Sequence, residues 1–233
     1  TWSIPVTQAN VTAMGQGLET LNARATDTAG NSSTPATASI TVDTIAPTAP
    51  TINVIAGDNI VNIVEANSGF DITGTGTAGD TITLTNEAGT LIGTTIVAAN
   101  GRWSIPVTQA NVTAMDQGLE TLRATATDPA GNTSLQANAA ITVDTIAPNA
   151  PTINTPIAGD NIVNGAEATA GFNVTGRGTA GDTITLTNEA GTIIGTAVVT
   201  TGGTWSIPIT QANVTAMGQG LETLRATATD PAG

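Results

Sequence analysis

The sequence predicts an all-β chain of tandem β-sandwich domains in an extended array. Three observations predict it: a long internal repeat, apolar positions that alternate with period two, and turn signals spaced regularly between them. The segment Trp2 to Met14 (WSIPVTQANVTAM) recurs unchanged from Trp103 to Met115, and again from Trp205 to Met217 with Ile209 where the second copy has Val107. The three tryptophans stand 101 and 102 residues apart. The extra residue enters where TINVIAGD (Thr51 to Asp58) becomes TINTPIAGD (Thr152 to Asp160). AGDTITLTNEAGT stands at Ala78 to Thr90 and Ala180 to Thr192, and VDTIAP at Val42 to Pro47 and Val143 to Pro148. Such a period is too long for a solenoid unit and fits a whole small domain.

Within the middle copy, the inward faces of successive strands follow in order. They are Phe70 and Ile72; Ile82 and Leu84; Ile92 with Val97 nearby; Trp103 and Ile105; Leu122, Ala124 and Ala126; and Ile141 and Val143. Alternation of this kind marks half-buried strands, and the abundant threonine favours strand over helix. Turn-forming residues separate the strands: Asn67-Ser68-Gly69, Thr77-Ala78-Gly79, Glu87-Ala88-Gly89, Asn100-Gly101 and Asp128-Pro129-Ala130-Gly131-Asn132. The one helical candidate, Thr108 to Met115, is short and β-branched and reads as a connecting turn. About seven short strands in about 100 residues is the profile of an immunoglobulin-like sandwich. Without a disulfide its centre must be filled by side chains. Trp2, Trp103 and Trp205 are the expected plugs, because alternation in Trp-Ser-Ile points Trp and Ile the same way.

Composition removes most chemistries. The 233 residues include no Cys, His, Tyr or Lys; the five basic residues are Arg24, Arg102, Arg123, Arg177 and Arg225. Ser-His-Asp and Cys-His pairs, thiolate nucleophiles, zinc or haem ligand sets, lysine Schiff bases and the lysine-bearing phosphate loop are all excluded, so the chain is expected not to be an enzyme. A net charge of −13 repels phosphate backbones and anionic headgroups, so neither nucleic acid nor a membrane surface is an expected partner. Apolar runs are too short and interrupted to span a bilayer. Residue 1 falls inside a repeat, so the missing leader says nothing about export.

Gly74 to Gly79 and Gly176 to Gly181 fit the dinucleotide fingerprint GxGxxG, but an alternating strand follows instead of a helix, so the glycines are assigned to a bulge or tight turn. Asn-x-Thr/Ser triplets at Asn10, Asn31, Asn111, Asn132, Asn173 and Asn213 are those expected of a threonine-rich chain and carry no function.

The acidic residues recur in place, nearly all at turns. If the first strand runs away from the preceding linker and each later strand reverses, the turns at Asp80, Asn100 and Asp128 lie at the linker-proximal pole beside Asp43. Asp144, Asp182 and Asp230 repeat the set at the next junction, and Asp27 has the corresponding place upstream. Carboxylates gathered without a basic neighbour repel one another unless a cation sits among them, and an all-oxygen set suits Ca²⁺. The competing reading is that aspartates cap turns through their own backbone. For Asp58 and Asp160, inside GDN, both readings stand; for the junction set calcium is favoured. Glu65 and Glu167 are weaker candidates, being farther from that pole, though they could face the following linker. No EF-hand loop is present, so a site would be assembled from separate loops.

The linker VDTIAP, the GDNIVN segment followed by Glu65-Ala66 or Glu167-Ala168, the TGTGTAGDTITLT block, GRWSIPV and the ATDPAGN turn together resemble the immunoglobulin-like repeats of biofilm-associated proteins and other giant bacterial adhesins exported by type I secretion. The resemblance covers essentially the whole chain. It implies an extracellular spacer array that holds an adhesive tip away from the bacterial surface, with calcium near domain junctions. Its partners would be neighbouring repeats and other adhesin copies. With the linker as boundary, residues 1–44 are expected to be the last three strands of one domain, 45–145 a complete domain, and 146–233 a domain lacking its final strand. The segment then reads as a window on a longer array in preference to one completed by a strand from another chain. Two other functions compete with the spacer: a module that grips a glycan or protein, which exposed aromatic clusters would favour, and homophilic association between arrays.

Overall fold

In the computed structural model, which describes residues Thr1–Gly233, the threonine-rich alternating segments form strands and five short turns of helix lie between them. The elements run α1 (Gln8–Met14), β1 (Gly17–Ala23), β2 (Ala36–Val42), β3 (Thr51–Ile52), β4 (Ile60–Asn62), α2 (Ile63–Ser68), β5 (Phe70–Thr75), β6 (Thr81–Thr85), β7 (Leu91–Ile96) and β8 (Arg102–Val107). They continue with α3 (Gln109–Thr113), β9 (Gly118–Thr127), β10 (Ala137–Asp144), β11 (Thr152–Ile153), α4 (Gly165–Ala170), β12 (Phe172–Arg177), β13 (Thr183–Thr187), β14 (Ile193–Val198), β15 (Thr204–Ile209), α5 (Gln211–Met217) and β16 (Arg225–Thr229).

The chain divides into two compact units. The first comprises Thr1–Ile55, Phe70–Met115 and Glu120–Ile141. In it β1 and β2 form an antiparallel hairpin, β3-β5-β8 one layer, and β10-β9-β6-β7 a facing layer. Ile72, Ile82, Leu84, Val97, Trp103, Ile105, Leu122, Ala124, Ala126 and Ile141 are buried between the layers as the alternation requires, while Phe70 and Ile92 are half-buried. The second unit comprises Ala56–Gly69, Asp116–Leu119 and Thr142–Gly233. Its layers are β11-β12-β15 and β14-β13-β16, closing on Val174, Ile184, Leu186, Val199, Trp205, Ile207 and Ile209. Within this unit β4 also pairs in parallel with the end of β10, Val61 opposite Val143.

The indoles are seated by glycine. Gly74 lies opposite Trp103 in the β5–β8 ladder and Gly176 opposite Trp205 in β12–β15. A Cβ on Gly74 would collide with the Thr51 carbonyl and the Trp103 ring, and Gly176 has the same neighbours in Thr152 and Trp205. The first glycines of the two GxGxxG strings therefore clear space for an aromatic core. The assignment to a bulge or turn holds only for Gly79 and Gly181, whose φ values are +94° and +96°. Each indole N–H donates to a backbone carbonyl, Trp103 to Thr75 and Trp205 to Arg177, both at 3.2 Å.

Several expectations need correction. Thr108 to Met115 is not a bare turn: Thr108 caps α3 by accepting from the Asn111 N–H, and α1 and α5 repeat that cap with Thr7 and Thr210. Asn67-Ser68-Gly69 ends the helix α2, whose N-cap Asn62 forms a reciprocal capping box with Glu65. Trp2 is 73% exposed, whereas Trp103 and Trp205 are 3% and 2% exposed. Residues 1–7 form no strand, so Trp2 has no ladder partner of the kind that Gly74 and Gly176 provide for the other two indoles.

Candidate functional site

Nine aspartates recur at turns, and seven do the work of a turn. Through Oδ1, Asp27, Asp43, Asp58, Asp128, Asp144, Asp160 and Asp230 each accept the backbone N–H two residues on, at 2.9 to 3.3 Å. This closes the local loop on the carboxylate and satisfies that oxygen. Asp58 and Asp160 each close a loop in which the next residue, Asn59 or Asn161, takes positive φ.

Asp80 and Asp182 behave differently. They are 3% and 2% exposed, and Oδ2 of each is buried without a hydrogen-bond partner. Their positions follow from the strands: Asp80 immediately precedes β6 and Asp182 β13, and the carbonyl of each accepts the N–H of Val97 or Val199 from the neighbouring hairpin. Burial, reinforced by the charge of Asp128, raises the Asp80 carboxyl above its ordinary pKa of 3.8. A buried carboxylate without donors is costly, so such a group stays protonated or acquires a counter-charge.

In the first unit, Asp43 and Asp128 meet through an amide. Asn132 Nδ2 donates to Asp128 Oδ2 at 2.8 Å and to the Asp43 main-chain carbonyl at 3.1 Å, with Asp43 Oδ1 at 3.5 Å. The Asn132 amide, followed by backbone N–H groups of the same loop, holds Asp128 below its ordinary pKa, and Asn31 does the same for Asp27. In the second unit, Asp144 and Asp230 line one hollow with Asn62, Ile63, Ile146 and Pro148. There the Asn62 side chain donates to the Ala232 carbonyl at 3.1 Å. The structure thus brings the expected junction residues together in pairs, and no three acidic side chains form a group that could hold a metal ion. Glu65 and Glu167 turn inward to their own helices, each accepting from the N-cap backbone N–H.

The amides were missed by the sequence reading. Asn132 and Asn62 bridge each junction, and Gln16 and Gln117 clamp the linker start: Gln16 accepts from the Thr44 N–H and donates to its hydroxyl, as Gln117 does with Thr145. For Asn132 the signal was its place at the end of the Asp-x-x-Gly-Asn turn, which Asn31 repeats.

Paired sheets without a disulfide, centred on tryptophan and repeated along one chain, define a tandem immunoglobulin-like module. Residues 46–144 and 147–233 each match the bacterial Ig domain family, and the chain belongs to that family. Among solved structures it is similar to a Ca²⁺-stabilized adhesin that helps an Antarctic bacterium reach out and bind ice. The identity is 29% over 95% of this chain and 58% of that one, with a TM-score of 0.44. It is also similar to a bacterial immunoglobulin-like domain from the M. primoryensis ice-binding adhesin (31% identity, 44% of this chain and 100% of that one, TM-score 0.33). A tetra-tandem repeat in the extending region of a large adhesion protein gives 24% identity over 92% of this chain and 53% of that one, with a TM-score of 0.37. The chain thus spans less than two thirds of the first and third of these. No curated protein sequence matches. No helix is long and apolar enough to cross a membrane.

Proposed function

We propose that these domains are spacer repeats of a large bacterial cell-surface adhesin, acting outside the cell in adhesion and biofilm formation without catalytic activity, and that Ca²⁺ at the junctions stiffens them. Membership of the bacterial Ig domain family and the tandem repeat support the spacer role. The observation that carries the calcium reading is the buried, unpartnered Oδ2 of Asp80 and of Asp182, at equivalent positions in both repeats. Turn formation explains the other seven aspartates and leaves these two without a role.

The donors fit a hard cation. Thr81 faces Thr127 and Thr183 faces Thr229, which sets Asp80 beside the loop of Asp128 and Asp182 beside that of Asp230, in a chain without lysine. Because no more than two carboxylates converge, carbonyl oxygens and water would complete the shell. The bound ion would supply the positive charge that lets Asp80 stay ionised while buried. The aromatic residues form no exposed cluster, which argues against a gripping module: Trp103 and Trp205 are inside, both phenylalanines are half-buried, and Trp2 is exposed singly. The test is small-angle scattering on the 233-residue chain in millimolar calcium and in chelator, beside an Asp80→Asn, Asp182→Asn double variant. Calcium is expected to raise the maximum dimension of the wild type alone; identical profiles in all samples would end the calcium reading.

A further inference from the structure

The loop organised by Asp128 holds an amide hydrogen that the loop itself does not use. Asn132 is fixed at both ends: its backbone N–H donates to Asp128 Oδ1 at 2.9 Å, its side chain donates to Asp128 Oδ2 at 2.8 Å, and its carbonyl accepts the Asp128 N–H at 3.0 Å. The corresponding loop from Asp27 to Asn31 makes the same internal bonds, 2.8 Å from the backbone and 3.0 Å from the side chain, and stops there. The loop is therefore preformed before any neighbour docks. In the middle repeat the second amide hydrogen reaches the carbonyl of Asp43, at the end of the preceding repeat's last strand.

The acceptor is held as firmly as the donor. Asp43 is locked by its own turn onto the Ile45 N–H, and Thr44 is gripped on two sides by Gln16 at 2.8 and 2.9 Å. We propose that Asn132 is a metal-independent latch: the Asp-x-x-Gly-Asn loop of each repeat docks on the last-strand carbonyl of the repeat before it. The amide stands between Asp43 and Asp128 and gives a hydrogen to each residue, so it orders the junction and damps their repulsion without a cation. The second junction supplies a further contact of the same loop, because Asn62, whose Oδ1 caps α2, donates through Nδ2 to Ala232. The latch rests on the reading of the chain as a repeat array and is independent of calcium.

The chain has no cysteine, so spin labels can be placed cleanly at exposed Ser39 and Ser104 as an S39C/S104C pair within the first unit. The distance distribution is then measured by double electron–electron resonance on the 233-residue chain in chelator. A single narrow peak is expected. Asn132→Ala, and the same-shaped Asn132→Asp that removes the donor, are both expected to lose it. Asn31→Ala, which breaks the equivalent loop away from this junction, should keep the peak. A peak that stays narrow in both Asn132 variants overturns the latch. A wild-type distribution broad in chelator and narrow in calcium overturns it too, while leaving the calcium reading intact. A narrow wild-type peak that calcium leaves unchanged does the reverse.

Discussion

Trp103 and Asp80 sit within one sandwich and stabilise it in opposite senses. The Trp103 indole is 3% exposed, packs on Gly74 and satisfies its only donor on Thr75, so Trp103→Ala removes a large buried surface and strands a carbonyl. A loss of about 3 to 5 kcal/mol is expected for truncating such a side chain, read as a urea midpoint shift of the 233-residue chain by circular dichroism. A shift worth under about 1 kcal/mol would mean that the indole is replaceable packing. Asp80 carries the opposite sign, since its folded-state pKa lies above 3.8. The stability it contributes is fully present below pH 3.8 and is lost as pH rises through the folded value. Asp128, held below 3.8, contributes stability present above that pH and lost as pH falls through its folded value. In chelator, Asp80→Asn is therefore expected to gain on the wild type as pH rises, because the amide fills the same space without a charge to desolvate. Equal stabilities from pH 3 to pH 7 would show that Asp80 finds a partner after all.

At the scale of elements, the strands were legible and the helices were not. Period-two alternation survives in β6, β8 and β9 because each has one face on the core, and the apolar positions named from the sequence are buried or half-buried there. The helices are all seven residues or shorter and rich in Thr, Val, Asn and Ala. They are set by their caps and have no amphipathic stripe long enough to read. For α2 the cue was Asn62 followed three residues later by Glu65, a reciprocal capping pair that the Gly69 turn signal obscured. The poles were legible because turn aspartates mark them, but the bridging amides were not, since Asn132 after Gly131 reads as an ordinary turn residue and Asn62 as the end of a strand. Asn62 tests this at one position. Asn62→Ala and Asn164→Ala each remove a cap that accepts two backbone N–H groups, at about 1 kcal/mol apiece. Only Asn62 also bonds outward to Ala232, so its variant should lose a further 0.5 to 1.5 kcal/mol or so. Equal losses by hydrogen exchange at α2 and α4 would mean that the outward bond contributes nothing.

For the whole molecule, the consequence of repetition is ambiguity. Strand β6 and strand β13 have the identical sequence TITLT, each pairs with its hairpin partner through the same bulge, and the Gly–Trp register of β5–β8 recurs in β12–β15. A strand of one repeat therefore meets the same side chains, in the same register, in another. Nothing in core packing tells a native pairing from an exchanged one; only the short linkers and the junction bonds discriminate. Sandwich contacts are also largely non-local and form slowly, leaving open sheet edges available for exchange. Refolding the 233-residue chain from urea should accordingly give exchanged dimers whose share rises with protein concentration. Asn132→Ala, which removes a junction bond while leaving the cores intact, should raise that share further. Size-exclusion chromatography with light scattering after refolding, over a hundredfold range of concentration, reads both effects. Monomer alone at every concentration would show that the linkers direct each strand to its own sandwich without help from the junctions.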